Sequence, residues 1–523
     1  MRRILVLAAL VCLSACGGEP SDVSSQTFIV GIRSTVGPLD PAIAGSVEQT
    51  VLLPPVYQRL VTLSADPDTG ADVFTPDLAE SWIVADDGSS WTFQLADGYR
   101  FTDGSKVDAA AVKFSFERAM TLGRGPSAPL KSAVERIETP NDETVVFHLV
   151  RPIFSLLPLV SDRVGFIINP KVLEHEIDGD LASQWLSENT SGSGPYQLTK
   201  FVPRSTYILE RNPHHPASAG PIGEVIFREI NDPAVRALMI KRGDLDLAYF
   251  LPPESLPSFE RDADFEVHTA EMLAFHNLAL NIESPVFSDP DLRRAVAYAI
   301  DVESIVDVLK EGRSSAFRGP LARGMLGSSD EAYPYRYDPD AAKRLVEKTG
   351  RPPEDLDVLF AYPGVSASAD TVAVFVQANL EAAGFRVRLQ RLTIPAVLDR
   401  AERGSFDMMF MGWVSPYADP SNVLNFWFEP DKIGAAGNYA RYNNPAVASL
   451  VRDSIEETDI DRRRTMIVDA VDLINDDLPY VYLTRNNIWT VSGTWVEGYE
   501  IDERDIFNVP YHKLELVGRD RSS

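Results

Sequence analysis

Apolar and polar positions alternate at the start of the ordered chain, where Thr27 to Ile32 is patterned as a half-buried strand. From Ala79 the alternation is cut by turns. Ser81 to Val84 leads into Asp86-Asp87-Gly88, and Ser90 to Leu95 alternates cleanly. A second turn at Asp97-Gly98 precedes a strand over Tyr99–Phe101, closed by Thr102-Asp103-Gly104. Asp-Gly between alternating runs signals a hairpin, because glycine readily adopts the positive φ that tight turns require. Helical spacing then takes over. Asp108 is a candidate N-cap, and Ala109, Val112, Phe116, Ala119 and Met120 share one face. Thr144 to Leu149 is a further strand, so this section reads as α+β. Strands recur at Pro195–Leu198 and Tyr207–Pro213. A helix after Asp232-Pro233 carries Val235, Leu238 and Met239 and stops at Gly243.

The carboxyl half is more regular. Asp289-Pro290 and Asp338-Pro339 each open a helix with proline at its first position, and Asp301 caps another. A strand at Leu356–Tyr362, a helix over 370–383 and a strand at Phe385–Leu389 follow. A helix at Ile394–Arg403 and an apolar strand at Phe406–Gly412 complete a βαβαβ run. That order implies a parallel sheet with right-handed crossovers. The next loop, Trp413-Val414-Ser415-Pro416-Tyr417-Ala418-Asp419-Pro420, therefore leaves a carboxyl edge, where open α/β sheets hold ligands. Two aromatics and one carboxylate suit a small organic molecule better than a reaction centre.

Composition narrows the class. The 523 residues correspond to about three domains of ~150 residues each. A net charge of −27 argues against nucleic-acid binding, which needs a basic footprint. At the amino end, Met1-Arg2-Arg3 and an apolar run from Ile4 to Leu13 precede Ser14-Ala15-Cys16-Gly17-Gly18. This is the pattern of an export signal, too short for a span of about 20 apolar residues. Leu13-Ser14-Ala15-Cys16 resembles the lipobox of bacterial lipoproteins, which implies lipidation of Cys16. Cleavage there leaves 523 − 15 = 508 residues with Cys16 as the sole cysteine, so no intrachain disulfide is expected. Residues 16–26 read as a tether.

Catalytic signatures are missing. There is no His-Glu-x-x-His and no phosphate-binding Gly-x-x-x-x-Gly-Lys-Ser/Thr loop. Ser191-Gly192-Ser193-Gly194-Pro195 only superficially resembles a nucleophile elbow. The seven histidines are scattered, and the adjacent His214-His215 reads as a surface turn, not a metal site. No catalytic residue, metal or cofactor is expected. A membrane-anchored hydrolase stays as the rival class, and would need a constellation built from distant residues.

The order of motifs is more specific than any one of them. Ala79-Glu80-Ser81-Trp82, Asp86-Asp87-Gly88, Trp91-Thr92-Phe93 and Phe101-Thr102-Asp103-Gly104 run into Val112-Lys113-Phe114-Ser115-Phe116-Glu117-Arg118. Gly192–Tyr196 with Glu210–Pro213, Asp291–Asp301, Tyr337-Asp338-Pro339, Gly412-Trp413 and Tyr442–Pro445 continue the series over most of the chain. This series resembles the family 5 solute-binding proteins of bacterial ABC transporters, the peptide- and nickel-binding receptors. The resemblance implies an α/β fold, a two-lobed periplasmic-binding-protein clamshell of type II with an additional α+β domain. One lobe would comprise 27–55, 182–270 and 490–518, the additional domain 56–181, and the second lobe 271–489. It also implies a monomer that binds a small, peptide-like solute, docks on a permease with separate ATPase subunits, and stays near the membrane through Cys16.

Trp413, Val414, Ser415, Tyr417, Asp419 and Arg485 are the ligand candidates. The aromatics have lobe core as their alternative, Asp419 a structural place before Pro420, and Arg485 an exposed surface position. In peptide-binding members the position of Pro416 carries an Asp that pairs with the peptide's α-amino group. Proline has neither charge nor N–H. Stranding a buried charge costs ~3–5 kcal/mol. That departure leaves peptides, blocked peptides, oligosaccharides and metal chelates all open as solutes.

Overall fold

The computed structural model describes residues 26–518 except 34–36, 45–46, 66–71, 124–126, 154–155, 311–313, 330, 365–366, 416–418 and 436. The expected signal, Cys16, the tether, Pro416 and Tyr417 lie outside the described residues.

A single sheet runs through both halves of the molecule. Its strand order is Arg386–Leu392, Asp357–Pro363, Met408–Val414, Phe265–Leu280, Tyr480–Gly493, Leu247–Tyr249, Gln26–Ile32, Ile222–Glu229, Thr206–Arg211 and Tyr196–Val202. Two of these strands join the halves. Phe265–Leu280 has 16 residues and, at ~3.3 Å per residue, extends ~50 Å. It pairs antiparallel with Tyr480–Gly493 from Phe265↔Gly493 to Ala279↔Tyr480, and the register breaks between Glu271 and Phe275. The first nine residues of this strand are mostly part-exposed, whereas the last seven are buried but for His276.

The βαβαβ run forms as its spacing implies. Asp357–Pro363 pairs parallel with both Arg386–Leu392 and Met408–Val414, with helices Ala367–Ala383 and Ile394–Arg403 as crossovers. The last strand extends two residues further than the apolar run. Trp413 and Val414 are strand residues paired with Phe275 and Ala274, so the loop begins only at Ser415. Gly412 hid this extension by interrupting the apolar pattern. A Cβ there would lie 2.6 Å from the His276 ring on the neighbouring strand.

Aspartates cap the helices where expected. Asp108 accepts the Ala111 N–H, Asp232 those of Ala234 and Val235, Asp289 that of Asp291, and Asp338 that of Ala341. The α+β section is a four-stranded antiparallel sheet in the order Ala79–Val84, Ser90–Leu95, Thr144–Leu149, Val134–Asn141. Helix Ala109–Leu122 buries Val112, Phe116 and Ala119, and Phe116 meets Phe147 edge-on at 4.9 Å. Tyr99–Phe101 is not the strand its spacing suggested. Only the bridge Arg100↔Lys106 forms, and the chain closes locally through Phe101 N–H to Ser105 C=O at 2.9 Å.

Gly192 and Gly194 form a backbone contact rather than an elbow. A Cβ on Gly192 would stand 2.1 Å from the Val56 carbonyl oxygen, and one on Gly194 would be 2.6 Å from that of Pro55. The segment instead hydrogen-bonds to this stretch through Gly194 N–H to Val56 C=O at 2.8 Å.

Candidate functional site

A cavity of about 590 Å³ lies between the halves, within the ~300–1,000 Å³ usual for small-molecule sites. One wall comes from the α+β section: Leu63, Val73 and Phe74 on the hairpin Val61–Ala65/Asp72–Pro76, then Trp82, Leu157 and Pro158. The opposite wall is Leu326, Pro420 and Ile460 of the carboxyl half, with Leu273 supplied by the crossing strand where its register breaks. Arg59 and, from the carboxyl-terminal segment, Arg504 and Asp505 also line the cavity. Outside the cavity the two walls also touch through Arg151 Nη1 and Glu456 Oε1 at 3.1 Å, both about half exposed.

Charges of both signs face this largely apolar space. Arg59 is held by Asp505 at 2.7 Å and by the Ser161 carbonyl at 2.7 Å, with its guanidinium 4.8 Å over the Phe166 ring. Burial opposes the Arg59 charge, but Asp505, together with Asp162 and Asp77, outweighs it and holds the pKa up. Arg463 donates to both oxygens of Asp419 at 2.8 and 3.0 Å and to the Ser454 carbonyl at 2.9 Å. Both side chains of that pair are buried. Asp162 is the remaining acid on the wall, and its pKa is raised, chiefly by burial.

The sequence-derived candidates divide in this geometry. Asp419 lines the cavity, but its carboxylate is engaged by Arg463 and, as N-cap of helix Pro420–Phe428, by the Ser421 N–H at 2.8 Å. Trp413 is half-buried and stacked on Phe426 at 5.0 Å with an interplanar angle of 7°. Val414 is half exposed, and Ser415 is buried with its N–H donating to the Leu273 carbonyl at 2.6 Å. Arg485 is not a surface residue. It is 2% exposed, donates to Glu271 at 3.1 Å, and lies 5.7 Å over the Phe317 ring. Tyr417 is outside the described residues.

Sequence reasoning missed Arg59, Phe74, Asp162, Ile460, Arg463 and Arg504. They come from segments far apart in the chain and carry no local motif. Trp82 was legible as part of the Ala79–Trp82 block. Among the described residues, no group of three or more His, Cys, Asp or Glu side chains is placed to hold a metal. No described helix is long and apolar enough to cross a membrane. His214 and His215 occupy a turn, where His215 Nδ1 accepts the Ala217 N–H at 3.0 Å.

Known proteins share this architecture. Residues 73–435 match the model of the bacterial extracellular solute-binding proteins, family 5. The probable D,D-dipeptide-binding periplasmic protein DdpA of Escherichia coli is 32% identical over 505 residues, covering 96% of this chain and 97% of that one. The dipeptide-binding protein of Escherichia coli is 22% identical, over 86% and 87% of the two chains. Among solved structures, DppA from Helicobacter pylori in complex with the peptide STSA superimposes with a TM-score of 0.76 at 24% identity, covering 94% of this chain and 98% of that one. NikA from Brucella suis in complex with Fe(III)-EDTA gives 0.81 at 24% identity, covering 94% and 100%. The fold is thus the two-lobed α/β architecture of periplasmic binding proteins, and the chain belongs to the family 5 bacterial extracellular solute-binding proteins.

Proposed function

We propose that this protein captures short peptides or peptide-like solutes between two closing lobes and delivers them to the permease of an ABC importer driven by separate ATPase subunits. The observation that carries this reading is the cavity itself. Its walls come from opposite halves of the chain, and it combines apolar surface with carboxylates and guanidiniums. A zwitterionic molecule with apolar side chains matches that lining, whereas an oligosaccharide would call for a denser set of uncharged hydrogen-bonding groups. The dipeptide-binding relatives support the same choice.

The lobes in this reading are 27–55 with 182–270 and 490–518, against 271–489, and 56–181 is the additional domain. The register break between Glu271 and Phe275 serves as hinge, since ladder bonds are already interrupted there. Trp413, Val414, Ser415 and Tyr417 approach the solute on closure. Asp419 and Arg485 hold that wall in shape through Arg463 and Glu271. The protein acts as a monomeric receptor without catalysis, outside the cytoplasm. Lipidated Cys16 keeps it at the membrane, although one acyl chain alone binds only marginally.

The test is to purify the protein from its native host, denature it and identify released solute by mass spectrometry. Di- or tripeptide masses are expected. A carbohydrate or a metal chelate overturns the reading.

A further inference from the structure

We propose that Asp162 is the acceptor for the solute's ammonium group, which makes the solute a peptide with a free amine rather than a blocked one. This rests on the peptide reading above and names the residue that takes over what Pro416 cannot do.

Six charged side chains line the cavity, and four of them are consumed in two ion pairs, Arg59 with Asp505 and Arg463 with Asp419. Of the remaining two, Arg504 faces Asp502 at 3.8 Å, and Asp162 belongs to neither pair. It occupies the N-cap position of the short turn Arg163–Gly165, yet its side chain makes no capping bond. Its carboxylate meets the Arg163 backbone N–H and, at 3.6 Å, the Arg163 Nε. That is a loose contact, because Arg163 Nε finds no hydrogen-bond partner of its own.

The side chain of Asp162 is 22% exposed, so it is mostly withdrawn from water while still reachable from the cavity. Burial raises its pKa, and the nearby Asp505 raises it further, against the lowering effects of Arg163 and Arg59. A carboxylate in this condition gains more from an incoming cation than one already paired. The apolar walls near it, Leu157 and Pro158, exclude competing water and strengthen that attraction. Asp419 cannot compete for the same role without releasing Arg463 into the buried wall. An ammonium supplies up to three donors and suits a carboxylate with vacant lone pairs.

The experiment is calorimetric titration of the full-length protein and its Asp162→Asn variant with Ala-Ala in both all-L and all-D forms, and with the N-acetylated dipeptides. Losing one charged hydrogen bond predicts about a ten- to hundredfold weaker affinity of D162N for the free-amine dipeptide, with the N-acetyl affinity unchanged. Asp162→Glu, which keeps the charge, should recover part of the loss. The unaltered protein should itself prefer the free amine over the acetylated form, and equal binding of the two overturns the proposal even where a variant does not fold. D162N binding the free-amine dipeptide within about twofold of the unaltered protein, or losing both ligands equally, overturns this proposal alone. If the unaltered protein binds none of the dipeptides, the peptide reading falls and this proposal falls with it.

Discussion

Replacing Asp419 separates a structural role from a solute-binding one. Its carboxylate meets the buried Arg463 guanidinium at 2.8 and 3.0 Å, and its Oδ1 also caps helix Pro420–Phe428 by accepting the Ser421 N–H at 2.8 Å. The side chains are 1% and 4% exposed, so removing the carboxylate strands a buried charge on Arg463. Breaking a buried pair by removing one partner costs ~3–5 kcal/mol. Loss of an N-cap costs ~1 kcal/mol more, without strict additivity. Asp419→Asn keeps a capping oxygen and loses only the charge, whereas Asp419→Ala loses both. With a urea slope near the top of the ~1–3 kcal/mol/M range, the first term alone displaces the unfolding midpoint by about 1–2 M. The assay is urea unfolding followed by circular dichroism, with solute titration on the folded fraction. The Arg463→Met partner variant completes a double-mutant cycle. Stability within about 0.5 kcal/mol of the parent, together with a tenfold or greater loss of solute affinity, would refute the structural assignment and return Asp419 to the solute.

Three further outcomes follow from other parts of the fold. Gly192→Ala drives a methyl to 2.1 Å from the Val56 carbonyl oxygen and should destabilise by ~1–3 kcal/mol, read as a lowered thermal midpoint. Burial holds both His215 and His512 down at about 4, with mutual repulsion adding to the first and Lys513 to the second. Between that value and the ordinary 6.5 the unfolded chain binds protons that the folded one does not, so stability is full above 6.5 and falls as pH drops toward 4. Thermal midpoints at pH 7.5 and 5.0 should differ less in a His215→Phe/His512→Phe variant. Arg151→Ala removes a half-exposed contact between the walls worth ~1 kcal/mol or less, so solute affinity should weaken by no more than about fivefold. Small-angle scattering of the solute-free variant should report a slightly larger radius.

Much of the fold was legible because its signals are local. The aspartate caps at 108, 232, 289 and 338 and the βαβαβ alternation each depend on residues within a few positions of one another. The failures are equally physical. Tyr99–Phe101 has strand spacing but closes on itself through Ser105. Trp413 and Val414 carry turn-like neighbours, yet become strand because Phe275 and Ala274 of the crossing strand pair with them. Arg485 reads as a surface charge until Glu271 and Phe317 are brought to it.

By itself the sequence determined the class of molecule. Hydrophobic period, capping residues and the order of short motifs are properties of the chain as written, and together they fix an α/β solute-binding fold and the loop after its last parallel strand. Only the tertiary structure decided which charges are free. Arg59 and Asp505 are 446 positions apart and meet at 2.7 Å, while Asp419 finds Arg463 across 44 positions. A carboxylate's availability to a solute depends on which cation has already reached it, and that is settled by packing at distances the chain does not write down.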